Sequence, residues 1–211
     1  MALPSRPYPV NLLVAGRSVL VVGGGTVALE KVEGLLDAEA DVTVVAPEVV
    51  PELVDRPGVR VEQRPYRSGE AADHRLVIVA TSDPAVNAEV AADADAADVW
   101  VNAADDIANC TFTLPARVRR GDLLLTVSTG GRSPGLASWT RKRLEAEFGP
   151  EWATLLDLLA EARDDLRATG RSSLGVDWHA ALDSGMLELV REGRLAEAKE
   201  RLQACLSSSS D

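Results

Sequence analysis

A chain of 211 residues that is 46% apolar and 26% charged carries enough apolar material for a sizeable core, which excludes a disordered protein. Its net charge of −11 excludes a general binder of nucleic acid or anionic membrane, because such polyanions repel it at long range. No apolar run approaches the roughly 18 residues of a membrane-spanning helix, and the opening MALPSRPYPVNLL lacks the apolar stretch of a signal peptide, so a cytoplasmic location is expected.

Cys110 and Cys205 lie far apart without metal-ligand spacing, which fits a reducing compartment. Aromatic residues make up only 4%, so Leu, Val and Ala must fill the interior, and no internal repeat is evident.

The first hundred residues alternate short apolar runs with helical patterns, which predicts βαβ units on a parallel sheet of five strands. Residues 18–22 (SVLVV) form the first, followed by Gly23-Gly24-Gly25 and a helix over 27–36 that places Val27, Leu35 and Leu36 among helix formers. Residues 42–46 (VTVVA), a weaker 59–61, 76–80 (LVIVA) and 99–101 supply the rest, the last ending at Asn102. After the fourth, Ser82 or Asp83 caps a helix opened by Pro84, with Val86 and Val90 on one face.

From Thr111 the pattern changes: 111–118 and 123–128 flank Arg119-Arg120-Gly121-Asp122 and read as an antiparallel pair. Pro134 opens a helix to about 148, and Gly149-Pro150 ends it. Residues 151–207 read as wholly helical, with stripes through Leu155, Leu156, Leu159, Ala162 and Leu166, then Trp178, Leu182 and Leu189, then Leu195, Ala198, Leu202 and Cys205. The tail 207–211 (SSSSD) is expected to be disordered. The breaks divide the chain into 1–112, a Rossmann-like α/β domain, 113–149, a small α+β segment, and 150–211, a helical domain.

Gly23-Gly24-Gly25-Thr26-Val27-Ala28 fits G-x-G-x-x-A directly between strand and helix, the context in which this motif binds a dinucleotide. Gly23 permits the tight turn, Gly25 lets a pyrophosphate approach the backbone, and Ala28 lets helix and strand pack closely, while the helix N-terminus offers unpaired N–H groups. Beyond the second strand, Pro47-Glu48 brings an acid, and no Lys or Arg lies between Lys31 and Arg56 to hold a 2′-phosphate, so NAD is favoured over NADP. Thr81 and Asp83 sit at the ligand edge of the fourth strand, where a capping role and a cofactor contact are both open.

Asn102-Ala103-Ala104-Asp105-Asp106 follows the fifth strand on that edge and delivers a carboxylate where a general base is needed; the alternative is a pair of solvated loop acids. Other catalysts fail to appear. His74 and His179 lie near neither the glycine turn nor a second metal-ligand type, so no metal site is expected. Tyr8 and Tyr66 are followed four residues later by Leu12 and Glu70, not by the Lys of short-chain dehydrogenases.

Between Arg117 and Arg143 seven cations face a single acid, Asp122, a local +6 that leaves −17 for the remainder. Arg117, Arg120 and Arg132 are candidates for an anionic substrate, with Ser128-Thr129-Gly130-Gly131-Arg132-Ser133-Pro134 adding hydroxyls before a helix N-terminus. A solvated charge run and a plain strand-to-helix turn remain the other readings of these residues.

Together these blocks resemble the precorrin-2 dehydrogenase family, which includes the N-terminal part of the siroheme synthases. The resemblance runs from Pro9-Val10-Asn11-Leu12 and Gly16-Arg17 through VLVVGGGTVALEKVEGLL, VTVVAPE, Ala80-Thr81-Ser82-Asp83 with Asn87, VNAADD, Cys110-Thr111-Phe112 and Leu114-Pro115-Ala116 to LLLTVSTGGRSPGLA. It implies NAD-dependent oxidation of precorrin-2, a tetrapyrrole polycarboxylate, to sirohydrochlorin. Some members also insert ferrous iron, and the sequence leaves that activity open. The resemblance assigns the essential aspartate to Asp105, cofactor contacts to Gly23, Gly25, Thr26, Val27, Pro47 and Glu48, and a conspicuous serine to Ser128. It also implies a homodimer joined through a central segment, here 113–149. Ser138-Trp139 and Ala103-Ala104 depart from the family's usual residues, and 151–211 carries no motif of its own. An NAD-binding redox-sensing module without catalysis, and a chelatase whose nucleotide site has lapsed, are the rival expectations.

Overall fold

The computed structural model describes residues 6–172 and 176–208, and its contacts group them into two units. One comprises the chain up to Leu114 together with Gly130–Arg132; the other comprises Pro115–Thr129 and Ser133 onward.

The first unit is built on five parallel strands, β1 Ser18–Val22, β2 Asp41–Ala46, β3 Val59–Gln63, β4 Leu76–Val79 and β5 Trp100–Ala103, in the order β3-β2-β1-β4-β5. All five expected strands form, with ends shifted by a residue or two. Valine-rich runs suit them because a parallel sheet covered on both faces buries every side chain, and all of Leu76–Val79 is buried. Each fully buried Val or Leu contributes about 1.5–3 kcal/mol relative to exposure.

On one face α1 Thr26–Leu36 and α2 Pro51–Val54 cover Val19, Val21, Val42, Val44 and Ile78; on the other, α3 Pro84–Ala96 covers Val77, Val79 and Val101. The stripe of α1 that packs inward is Ala28, Val32 and Leu35, at i, i+4, i+7. Val27 is exposed at the helix start.

The chain winds outward from β1 to β2 and β3, then returns to β4 and β5. The winding reverses between β1 and β4, and at the carboxyl ends of such neighbours an open α/β sheet leaves its binding crevice.

The second unit opens with an antiparallel ribbon, β6 Ala116–Arg120 and β7 Leu123–Val127, turned at Gly121-Asp122. The ribbon is shorter than expected: 111–115 lies outside it, and Arg119 and Arg120 belong to the strand rather than the turn. Helix α4 Pro134–Glu147 packs on the ribbon, and α5 Glu151–Ala168, α6 Trp178–Ala181, α7 Leu187–Arg191 and α8 Leu195–Ser208 form a bundle around Leu155, Leu166, Ala181, Met186, Leu202 and Leu206. The stretch is less continuous than its stripes suggest. Gly185 takes a left-handed φ of 87° within the turn Leu182–Met186, and Leu182 and Leu195 are exposed. Ser207 and Ser208, expected in a disordered tail, complete α8; the last three residues lie outside the described range.

Candidate functional site

Backbone geometry builds the crevice edge. The Gly23 N–H donates to the Val45 carbonyl, Val50 N–H to Gly24, Ala80 N–H to Val22 and Ala104 N–H to Val79, at 2.7–3.0 Å. These bonds place the turns after β2, β1, β4 and β5 side by side.

The three glycines have separate reasons. Gly23 has φ 126°, a conformation L side chains rarely adopt, and a Cβ there would lie 2.3 Å from the Ala80 carbonyl oxygen. A Cβ on Gly24 would lie 2.1 Å from the Glu48 carbonyl oxygen, a close approach the motif alone did not reveal. Gly25 has ordinary extended φ/ψ, and a Cβ on it would meet nothing within 4 Å. The space above it is open, and that is the opening a pyrophosphate requires. Gly25 caps α1 with no side-chain bond to the first N–H groups, and Gly25, Thr26 and Val27 are all exposed. An N-terminus so uncapped and bare fits a dinucleotide. Pro47 and Glu48 are exposed beside it.

Thr81 and Asp83 act first as structural caps. Asp83 accepts from the Ala85 N–H at 2.9 Å, and Thr81 Oγ1 donates to the buried Asn87 Oδ1 at 2.7 Å while accepting from the Asp83 N–H. Asn102 is buried and donates its amide to the Phe112 carbonyl at 3.0 Å and, more weakly, to Cys110.

Asp105 is exposed and takes φ 59°; among the described residues its carboxylate has no hydrogen bond or ion pair. Among the described residues two other non-glycine residues share this left-handed region, Glu39 and Asp98, and both are explained by helix termination. Ala40 N–H reaches Leu35 O with Glu39 N–H on Leu36 O, and Val99 N–H reaches Ala94 O with Asp98 N–H on Asp95 O, the paired bonds of a Schellman end. Asp105 ends no helix. It is the third residue of a turn closed by Asp106 N–H to Ala103 O, a position that favours glycine, and it stands on the crevice edge.

The thiol of Cys110 ties the ends of this loop. It accepts from the Ala103 N–H at 3.2 Å and faces the Ala103 and Asp106 carbonyls at 3.3 Å each; burial pushes its pKa up, which keeps it an S–H donor. Thr111 adds a bond from the Val101 N–H to its Oγ1 at 2.8 Å. The side chains of 110 and 111 thus satisfy the free edge of β5 in place of another strand. Neither role is visible in a sequence pattern, because a thiol and a hydroxyl leave no periodic signature.

The cations divide. Arg120 does not stand ready for substrate: its Nε donates to the Phe148 carbonyl at 2.7 Å and a terminal nitrogen to Glu145 O at 3.1 Å, which satisfies the last carbonyls of α4. Arg141 pairs with Glu145 at 2.6 Å, and Arg143 lies over the Trp139 ring at 5.0 Å. Arg117 and Arg119, two residues apart on the opposite strand face from buried Val118, are exposed, as is Ser128. Arg132, also exposed, groups with the sheet unit rather than with the ribbon. A cavity of about 320 Å³ between α5 and α8, rimmed by the Lys199–Glu161 ion pair, contains none of these residues.

Residues 10–116 match a family model described as putative NAD(P)-binding. The solved structure of SirC, named a precorrin-2 dehydrogenase, superposes with a TM-score of 0.74 at 30% identity and covers 94% of this chain and 98% of its own. The chain belongs to the precorrin-2 dehydrogenase family. The siroheme synthase of Tolumonas auensis is 37% identical over 202 residues, 93% of this chain and 42% of that protein, and the siroheme synthase of Pseudomonas entomophila is 39% identical over 206 residues, 95% and 44%. The chain therefore spans less than half the length of these siroheme synthases. As in a precorrin-2 dehydrogenase such as SirC, the likeness extends past the nucleotide-binding sheet through the ribbon and the helical bundle.

Proposed function

We propose that this chain oxidises precorrin-2 to sirohydrochlorin with NAD, the step before iron insertion in siroheme synthesis. What supports this most is the carboxylate of Asp105, presented from a left-handed turn on the same crevice edge as the bare N-terminus of α1. A regulatory module that only sensed NAD would need the glycine turn and not a strained acid beside it.

The cofactor is NAD. Gly25, Thr26 and Val27 would hold its phosphates through backbone N–H groups and Pro47 and Glu48 would face its ribose, while Thr81, Asp83 and Asn102 order the neighbouring turns. Glu48 lies beyond β2, and no cation occurs between Lys31 and Arg56, which disfavours a 2′-phosphate. When bound, NAD supplies the acceptor for the hydride. Oxidation of precorrin-2 removes one hydride and one proton, and Asp105 takes the proton through carboxylate oxygens that no group within the described residues engages. Arg132 in the sheet unit and, separately, Arg117 and Ser128 in the ribbon unit are the exposed groups suited to the substrate's carboxylates, while Arg120 fixes the end of α4 against the ribbon.

The chain acts as a homodimer joined through 113–149, between a nucleotide domain over 1–112 and a helical domain over 150–211. Leu136 and Trp139 on α4 are 54% and 56% exposed, apolar surface that a second copy would cover. A compartment that keeps Cys110 reduced, the cytoplasm, suits its role as an S–H donor.

Pure protein incubated anaerobically with precorrin-2 gives sirohydrochlorin absorbance only when NAD is added; a mixture that stays unchanged with NAD overturns the proposal. Ferrous iron added afterwards, as a substrate, reports insertion by the shift to the siroheme spectrum.

A further inference from the structure

We infer that Cys110 is a positioning residue for the reaction, holding Asp105 at the crevice edge through its thiol, an inference that rests on the reading of Asp105 as the proton acceptor. The excursion from Ala103 to Cys110 leaves β5 and returns to it, and the Cys110 sulfur meets both its ends. The Ala103 N–H donates to this sulfur, and the single S–H proton faces the carbonyls of Ala103 and Asp106, which bracket Ala104 and Asp105. The remaining bonds of the loop are short-range: Asp106 N–H to Ala103 O, Asn109 N–H to Asp106 O, and the Asn109 amide to Asp106 Oδ2 at 2.7 Å. The first reaches the strand end at Ala103 through one backbone bond, and the other two close small turns within the loop. Ala104 N–H to Val79 O fixes the entry alone.

A left-handed aspartate persists where its surroundings over-determine it. Here the sulfur adds a side-chain link between both flanks of the residue to the single backbone bond from Asp106 N–H to Ala103 O. Partial burial against Val101, Ala103 and their neighbours raises the thiol's pKa and keeps it protonated, so it donates and accepts at once. A side chain that only filled space would leave the Ala103 amide and two carbonyls without that partner.

The test compares Cys110→Ala with Cys110→Ser, which keeps a donor and an acceptor at this position, in the full chain with NAD and precorrin-2. Cys110→Ala is expected to lower kcat about 10- to 100-fold, the effect of misplacing a catalytic group by a fraction of an ångström to an ångström, with KM for both ligands within about threefold. Cys110→Ser should recover most of the loss. Hydrogen exchange at the amides of Ala103 and Asp106 should quicken in the alanine variant alone, while β1 and β2 stay protected. In an Asp105→Ala background, adding Cys110→Ala should slow the residual reaction no further.

Full kcat in Cys110→Ala overturns the inference. So does a loss of kcat matched by faster exchange throughout the sheet, which would mark a merely structural thiol. Full activity in Asp105→Ala alone removes the catalytic reading itself, whereas an inactive Asp105→Ala beside a fully active Cys110→Ala removes only the positioning role.

Discussion

At the crevice edge of the sheet unit the residues that matter are small and act through backbone: three glycines, two alanines and an aspartate held by its φ angle. In the ribbon unit the residues first noticed are long cations, and several of them are committed within their own unit, Arg120 to the end of α4, Arg141 to Glu145 and Arg143 to Trp139. The contrast shows what each kind of site demands. A backbone site is set by which residues can adopt a turn, whereas a side-chain site depends on where several rotatable bonds carry a charge, and a local excess of cations does not say which of them face a ligand.

The glycines separate the two kinds of site most strongly. Gly23→Ala adds a Cβ against the Ala80 carbonyl and forces a disfavoured φ, which costs about 1–3 kcal/mol in strain before the clash is counted, so both the urea midpoint and NAD affinity should fall. Gly25→Ala enters open space: folding stability should hold within about 1 kcal/mol while the Kd for NAD rises about tenfold. Equal effects of the two substitutions would erase the distinction between a glycine needed by the fold and one needed by the ligand.

In the ribbon the corresponding pair is Arg117 and Arg120. Arg120→Ala should lower stability by about 1–3 kcal/mol, because two carbonyls at the end of α4 lose a charged donor. Arg117→Ala should leave the thermal midpoint nearly unchanged and raise KM for precorrin-2 about tenfold. The reverse pattern would reassign the two cations.

Much of this architecture is legible before any coordinates. Period-free valine runs mark the parallel strands, Asp83-Pro84 marks the start of α3, and the glycine turn marks the crevice because those residue types follow directly from backbone requirements. Legibility fails where tertiary packing decides. Leu182 and Leu195 read as parts of packing stripes and are exposed, because the helical stretch is broken at Gly185 and between α7 and α8. Arg120 reads as a substrate cation and caps a helix. Cys110 reads as a solitary thiol and closes the loop that carries Asp105, a bond between residues seven apart with no periodic trace.

The smallest expected effect lies at the opposite end of the strands. His74 shares a 2.7 Å hydrogen bond with Ser18, and burial holds its pKa below the ordinary 6.5, against the opposing pull of Asp73, Glu70 and Glu62. The folded state then favours neutral His74 while the unfolded chain protonates near its ordinary value. This contribution is therefore complete above that value and is lost as pH falls below it toward the folded pKa. Urea midpoints taken between about pH 7.5 and about pH 5.5 should decline in the native chain and decline less in a His74→Gln variant.

The role of Asp105 as proton acceptor is tested by pairing anaerobic turnover of precorrin-2 with an equilibrium titration of NAD in Asp105→Ala. A fall in kcat of about 100-fold or more, with NAD affinity within about threefold of the native chain, is the predicted result. Undiminished turnover, or lost turnover explained wholly by lost NAD binding, would contradict it.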